Sequence, residues 1–241
     1  MSGFKDRLSS LRATLITAPL ICIYTVVMGS ISVASSLVDS TGKMQHGCAR
    51  IWSRMILWTS GVRVTVKGLS NIKPGVPVVF CVNHQSHMDI PIVLVALPVQ
   101  FRFLAKKQLF GIPFLGWHLR RSGQISIDRE NPRAALKSMR AAAAQVQSGS
   151  PVVIFPEGGT SADGEMHPFK GGGFVLATNA MIDIVPVTIR GSRQVLVPRT
   201  YQVRSGNVEV IIGPPISSSN LGANDLAALT YEKMLKTFTG R

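Results

Sequence analysis

Residues 81–91 read CVNHQSHMDIP, which puts His84, His87 and Asp89 within a single turn's reach of each other. Three kinds of chemistry use such a set. A metal site needs a third or fourth ligand, and no second cluster of ligand type is present; His46, His118 and His167 are scattered and read as surface or anchor residues. A general base needs less. His84 can take a proton from a substrate hydroxyl if Asp89 accepts a hydrogen bond from the other ring nitrogen, which fixes the tautomer and stabilises the imidazolium as it forms. Histidine suits the task because its ordinary pKa lies near neutral, and no protein nucleophile is required. The third possibility is structural: Ser86-x-x-Asp89 ahead of an apolar run matches a capping box that starts a helix. Cap and base are compatible, since the helix so started would present His84.

A second stretch, FPEGGTSADG at 155–164, follows an apolar run. Gly158 and Gly159 free the backbone to present N–H groups, and Thr160 and Ser161 add hydroxyls. Together these can hold a phosphate or similar anion. Glu157 can fix the loop or bind a substrate hydroxyl. A plain glycine turn explains the same residues without any ligand. Basic residues form a third set: Lys106 and Lys107 in FLAKKQLFGIPFLGW, Arg129 closing GQISIDR, and Lys170 in PFKGGG. Each alone is an ordinary solvated side chain, but several fall where strands end, and together they would make an anion pocket. The three cysteines, Cys22, Cys48 and Cys81, form no C-x-x-C pair, and their odd number argues against a disulfide framework. Cys81 reads as core, because no separate base is placed to activate it.

The elements that must position these groups alternate. Strands are expected at VRVTVKG, PVVFCV, FRFLA, GQISID, PVVIF, DIVPVTIR and NVEVIIG, from short apolar or period-two patterns. Helices are expected at DIPIVLVAL, with Pro91 tolerated in the first turn, and at NPRAALKSMRAAAAQVQ, GGFVLATNA and NDLAALTYEKMLKTF. Interleaving of this kind means an α/β domain with a mixed, largely parallel sheet flanked by helices. Active sites in such domains gather in loops at the carboxyl ends of strands. The composition supports a sizeable core, with 46% hydrophobic residues in 241.

The N-terminal part differs. No charged residue occurs from Ala13 to Val38, a run that at about 1.5 Å per residue would cross a hydrocarbon layer of about 30 Å. Basic residues flank it on both sides (Lys5, Arg7 and Arg12 before; Lys43, Arg50 and Arg54 after), so the positive-inside rule gives no direction. A segment that dips into a bilayer and returns would look the same. The next stretch, KMQHGCARIWSRMILWTSG, has helical period, with Met44, Cys48, Ile51, Trp52, Met55 and Ile56 on one face edged by Lys43, Arg50 and Arg54. That describes an interfacial helix. Residues 1–59 are therefore expected to be a membrane-anchoring pair of helices and 60–241 the working domain. With 26 basic against 12 acidic residues, the chain carries a net charge of +14, which fits an anionic membrane surface or an acidic carrier protein. The basic residues are dispersed and no zinc-finger or RNA-recognition pattern accompanies them, so nucleic acid is not an expected partner.

Taken together, the blocks resemble a family, the glycerolipid acyltransferases, and within it the bacterial 1-acyl-sn-glycerol-3-phosphate O-acyltransferases. NHQSHMD is similar to its H-x4-D motif, GQISIDR to its second block, FPEG to its third and IVPVTI to its fourth. AKKQL with IPFLGW is similar to the segment between the first two, and the N-terminus resembles the family's two-helix membrane motif. H-x4-D alone is a weak signal; four ordered blocks are a strong one. The resemblance implies that His84 deprotonates an acceptor hydroxyl, that Asp89 orients His84, and that the oxygen attacks an acyl thioester. It implies that Lys106, Arg129, Glu157 and Gly158 bind the phosphorylated glycerol acceptor. It also implies acyl-CoA or acyl carrier protein as co-substrate with no further cofactor, and a place on the cytoplasmic face of a bacterial inner membrane. One departure stands out. The family's third block usually reads F-P-E-G-T-R-S, and here Thr160 holds the arginine position. A bidentate grip on phosphate is missing there, so Arg129, Lys106 or Lys170 compensates, or the acceptor carries another head group. Glycerol 3-phosphate, another lysophospholipid or a lyso-aminolipid are the alternatives, and a lipid-binding membrane scaffold is the non-enzyme one.

Overall fold

The computed structural model describes residues 12–128, 130–198, 200 and 202–240. A π-helical turn, Ala13–Thr17, runs into α1 (Ala18–Ser35), followed by α2 (Lys43–Ser60) and β1 (Val62–Lys67). Then come β2 (Val79–Val82), α3 (Asp89–Ala96), β3 (Arg102–Lys106), α4 (Leu115–Arg121), β4 (Ile125–Ile127) and α5 (Pro132–Gln147). The chain continues through β5 (Val152–Ile154), α6 (Gly172–Ala180), β6 (Ile184–Arg190), the single turn α7 (Ser192–Val195), β7 (Gly206–Ile212) and α8 (Ala223–Thr239). The expected strands and helices are all present. Patterning gave no sign of α4 and α7, which are too short to show a period.

The strands form one sheet in the order β1-β7-β6-β2-β5-β3-β4. All neighbours are parallel except β6 and β7, which pair antiparallel through Val187↔Ile212 to Arg190↔Glu209. β2 is central because its four residues, Val79, Phe80, Cys81 and Val82, are all fully buried, as a strand covered on both faces requires. The pleat sends Phe80 and Val82 to one core and Val79 and Cys81 to the other. The first core is closed by α2 and α3, through Ile56, Leu57, Ile92 and Val93. The second is closed by α5, α6 and α8, through Met139, Val146, Phe174, Leu226 and Met234. Each such side chain contributes on the order of 1.5–3 kcal/mol on burial.

The two N-terminal helices pack on this sandwich by their inner sides. Residues Ala13–Ser35 make a helix 23 residues long, long and apolar enough to cross a membrane; its most apolar 18-residue stretch has mean hydropathy 1.9 and is 17% buried. Leu15, Ile16, Ile23, Val26, Val27 and Ile31 are exposed along it. The chain then reverses. Asp39 accepts from the Thr41 N–H (2.8 Å), the Thr41 hydroxyl (2.6 Å) and the Met44 N–H (2.7 Å). These bonds, the Thr41 hydroxyl first, hold its carboxyl down at about 2. Gly42, at φ 76, lies so close under the Arg102 guanidinium that a Cβ would sit 2.7 Å from it, and Arg102 donates to the Thr41 carbonyl at 2.8 Å. The helical reversal is thus bolted to β3.

The face expected to be apolar on α2 is divided. Met44 and Ile51 are exposed, together with Trp58, at seven-residue spacing, whereas Gln45, His46, Ser53, Ile56, Leu57 and Ser60 are buried. Ile56 and Leu57 point inward with Gln45, His46, Ser53 and Ser60, while a second apolar row, Met44, Ile51 and Trp58, is left outward, unlike a helix on a water-facing surface.

Candidate active site

β2 lies between β5 and β6, so the segments leaving the carboxyl ends of β2 and β5 emerge side by side. The β2 turn begins at Asn83, fully buried, which donates to the Ile189 carbonyl (3.0 Å) and accepts from the Ile189 N–H (2.7 Å). That two-way bond pins the turn to β6. His84 follows. Its Nδ1 lies 2.8 Å from Asp89 Oδ2, with the aspartate completely buried and the histidine side chain 13% exposed. The same Oδ2 accepts from the Gln85 N–H (2.8 Å) and the Ser86 N–H (2.9 Å). An ionised carboxylate that accepts three such bonds compels Nδ1 to carry a proton, which leaves Nε2 as the basic nitrogen.

Base and cap meet in one side chain. Asp89 reaches back to the Ser86 N–H as a capping box demands, but the Ser86 hydroxyl does not complete the box. It accepts instead from the Met88 N–H (3.2 Å) and donates to the Leu196 carbonyl beyond α7 (2.7 Å). The His84 ring stacks on Phe155, centroids 4.3 Å apart, and Phe155 stacks on Phe103 at 6.2 Å. His87 is exposed, its ring 6.4 Å from that of His84.

The β5 loop is tied to this turn through both chain directions. The His84 N–H donates to Glu157 Oε1 (2.6 Å) and the His167 N–H to Oε2 (3.2 Å). Burial raises the Glu157 carboxyl above its ordinary range, and the two N–H bonds pull the other way. The Ser161 N–H donates to the His84 carbonyl at 2.9 Å. Ser161 also donates its hydroxyl to Asp163 (2.8 Å) and accepts from the Gly164 N–H (2.9 Å). Asp163 is held down to about 2, first by the Glu165 N–H and then by the Ser161 hydroxyl. Gly158 sits at φ 84, in the left-handed region that favours glycine. The Lys170 ammonium lies 3.0 Å from where a Cβ on Gly158 would stand, brought there by the Lys170 N–H bond to the Pro156 carbonyl (3.1 Å).

Of the residues singled out by sequence, His84, Asp89, Glu157, Gly158, Gly159, Thr160 and Lys170 gather at the ends of these two strands. Gly159 is exposed and Thr160 half-buried. Lys106 ends β3, on the far side of β5, with its side chain exposed, and its neighbour Lys107 pairs with Asp128 at 3.1 Å. Arg129 lies outside the described residues. Cys81 is core, as expected, and burial pushes its thiol well above the ordinary range, which keeps it unreactive. Of the other histidines, expected at the surface or in the anchor, His167 is exposed, while His46 in the anchor and His118 beside it are packed inside. His46 is buried edge-on against Phe101 (4.9 Å), and His118 bridges α4 to α1 by a 2.6 Å bond to Ser32. His167 is exposed but holds Glu157 through its backbone. Burial drives His46 and His118 down to about 4, so both are neutral near pH 7.

Two features escaped sequence reasoning. Arg193 on α7 donates to the carbonyls of Ser161 (2.9 Å) and Ala162 (2.7 Å). And a cavity of about 90 Å³ opens between the N-terminal helices and the sheet, lined by Trp52, Leu94, Phe101, Phe103 and Leu119 among others. Phe103 belongs both to this cavity and to the aromatic stack that ends on His84.

Comparison with known proteins bears on this geometry. A family model described as Acyltransferase matches residues 63–190. The chain is 32% identical over 183 residues to a 1-acyl-sn-glycerol-3-phosphate acyltransferase of Pseudomonas aeruginosa, a match covering 74% of this chain and 70% of that one. It is 31% identical over 179 residues to the chloroplastic 1-acyl-sn-glycerol-3-phosphate acyltransferase LPAT1 of Arabidopsis thaliana, covering 73% of this chain and 50% of the relative. The match thus spans about half the length of such plant relatives. Among solved structures, the 1-acyl-sn-glycerophosphate acyltransferase PlsC from Thermotoga maritima superposes with a TM-score of 0.84 over 96% of this chain and 95% of that one, at 23% identity. That likeness is one of fold, and it includes the mixed sheet and its flanking helices.

Proposed function

The chain belongs to the acyltransferase family, and on that premise we propose that it transfers a fatty acyl group from a thioester to the sn-2 hydroxyl of 1-acyl-sn-glycerol 3-phosphate, giving phosphatidate. The observation that carries the mechanism is the 2.8 Å bond from His84 Nδ1 to a fully buried Asp89. His84 Nε2 takes the proton of the acceptor hydroxyl as its oxygen attacks the thioester carbonyl, and Asp89 stabilises the imidazolium that forms. Collapse of the tetrahedral intermediate breaks the carbon–sulfur bond, and His84 returns the proton to the departing thiolate. General-base help of this kind is worth roughly 10²–10⁴ in rate.

The acceptor's phosphate is assigned to the Gly158–Gly159–Thr160 backbone and hydroxyl, with Lys170 beside them and Lys106 and Arg129 as further cations. The cavity beside Phe103 is assigned to acyl chain. The donor is acyl-CoA or acyl carrier protein, and no other cofactor is assigned. The exposed apolar rows of α1 and α2 are assigned to a membrane, the cytoplasmic face of a bacterial inner membrane on this reading. Threonine in place of the third-block arginine favours a second possibility, the same chemistry on another lysolipid. Purified protein incubated with labelled acyl-CoA or acyl carrier protein and a series of lyso acceptors decides between them. Phosphatidate as the principal product upholds the proposal. Faster acylation of a different acceptor moves it to that lipid, and no turnover with any pair leaves a lipid-binding scaffold.

A further inference from the structure

We propose that Arg193 is the positioning residue of the acceptor loop, a clamp that sets the backbone of residues 158–164 for an anionic head group. The inference rests on the acyl-transfer reading above. The loop has no regular secondary structure, so its shape depends on bonds from elsewhere. Arg193 supplies two to successive carbonyls, Ser161 at 2.9 Å and Ala162 at 2.7 Å. A planar guanidinium spans two neighbouring oxygens as a lysine cannot. Its approach is built into the sequence on the other side too. Gly164 has φ 92, and a Cβ there would stand 3.0 Å from both Arg193 Cδ and Nε. Glycine at 164 is thus what lets the arginine lie flat under the loop.

The clamp acts on the residue that joins the two halves of the site. Ser161 is 3% exposed. Its N–H is held by the His84 carbonyl, its hydroxyl by Asp163 and Gly164, and its carbonyl by Arg193. Arg193 also sits on the segment whose Leu196 carbonyl receives the Ser86 hydroxyl of the histidine turn. One short element therefore fixes both the turn and the loop, and with them the distance between the base and the anion subsite. This gives the missing third-block arginine a counterpart of a different kind. Thr160 offers no fork to a phosphate, and Arg193 instead orders the backbone that must receive it.

The test uses the full chain carrying Arg193→Gln, Arg193→Lys or Gly164→Ala. The Arg193→Gln variant is expected to raise KM for 1-acylglycerol 3-phosphate roughly tenfold or more, with KM for the thioester within about twofold. Discrimination against the unphosphorylated 1-acylglycerol should fall by the same factor. Arg193→Lys should lie between, and Gly164→Ala should resemble Arg193→Gln. Hydrogen exchange reads the clamp without turnover: the Ser161 and Gly164 amides should exchange about tenfold faster in Arg193→Gln. An unchanged acceptor KM, or equal rises for both substrates with a lowered melting temperature, overturns the proposal. If the wild-type chain acylates no acceptor, the acyl-transfer reading fails, and the exchange data still decide the clamp: unchanged protection overturns it.

Discussion

The bond that fixes the His84 ring comes from Asp89, five residues on, whereas the loop from Glu157 to Gly164 is shaped by the nearby His167 and by His84 and Arg193, which enter from two distant parts of the chain. The imidazole keeps its orientation through its own aspartate, while the backbone around it is also pinned to Ile189, Glu157 and Leu196. A loop held from outside keeps its shape only while each distant partner is in place. The first arrangement suits a group that must present one nitrogen in one tautomer; the second suits a subsite that is refitted to different head groups by changing single residues. Thr160, where the resemblance leads one to expect arginine, is such a change.

That contrast orders the expected effects of breaking it. His84→Ala should cost the most, roughly 10⁴-fold in turnover, with the fold intact because, among the described residues, the imidazole makes one hydrogen bond, to Asp89, and ring contacts with Phe155 and His87; circular dichroism and a thermal melt check the second half. Asp89→Asn comes next, about 10²–10³-fold in kcat. An amide oxygen in the place of Oδ2 can accept the same three bonds but carries no charge to stabilise the imidazolium as it forms. If the variant mainly loses thermal stability and keeps its rate, Asp89 is a cap and nothing more. Glu157 belongs to the loop and should respond in steps. Glu157→Gln keeps an oxygen for the His84 N–H, while Glu157→Ala leaves that N–H unpaired. The alanine variant should be roughly tenfold slower than the glutamine one, and equal rates would show that the carboxylate does not set the turn. The smallest effect on turnover belongs to the outward row Met44, Ile51 and Trp58. Serine at all three should leave the rate on detergent-dispersed substrate within about twofold and weaken sedimentation with anionic vesicles. Undiminished sedimentation would remove α2 from the anchor.

The same contrast governs what the sequence reveals. The histidine turn is legible because its partner is five residues away and the strand before it is a short, wholly apolar run. β5 is legible as another short apolar run, and β6 as a longer, mostly apolar one. The Gly158 loop shows its glycines but not its shape, since Ser161 and Arg193 are separated by thirty-two positions and nothing in either local pattern points to the other. The α2 face was legible only in part because apolar periodicity locates a stripe without saying what covers it. Here Met44, Ile51 and Trp58 face outward while Ile56 and Leu57 are buried with Gln45, His46 and Ser53. Single-turn α7 is invisible to any periodic pattern, yet it carries both the clamp and the anchor for Ser86.

The account stands most directly on one comparison: kcat and acceptor KM for Asp89→Asn and Arg193→Gln, measured side by side with 1-acylglycerol 3-phosphate and a saturating thioester. It predicts a loss in kcat with acceptor KM within about threefold for the first, and the converse for the second. An Asp89→Asn enzyme that keeps its kcat and loses only affinity would contradict the assignment of proton transfer to the His84–Asp89 pair.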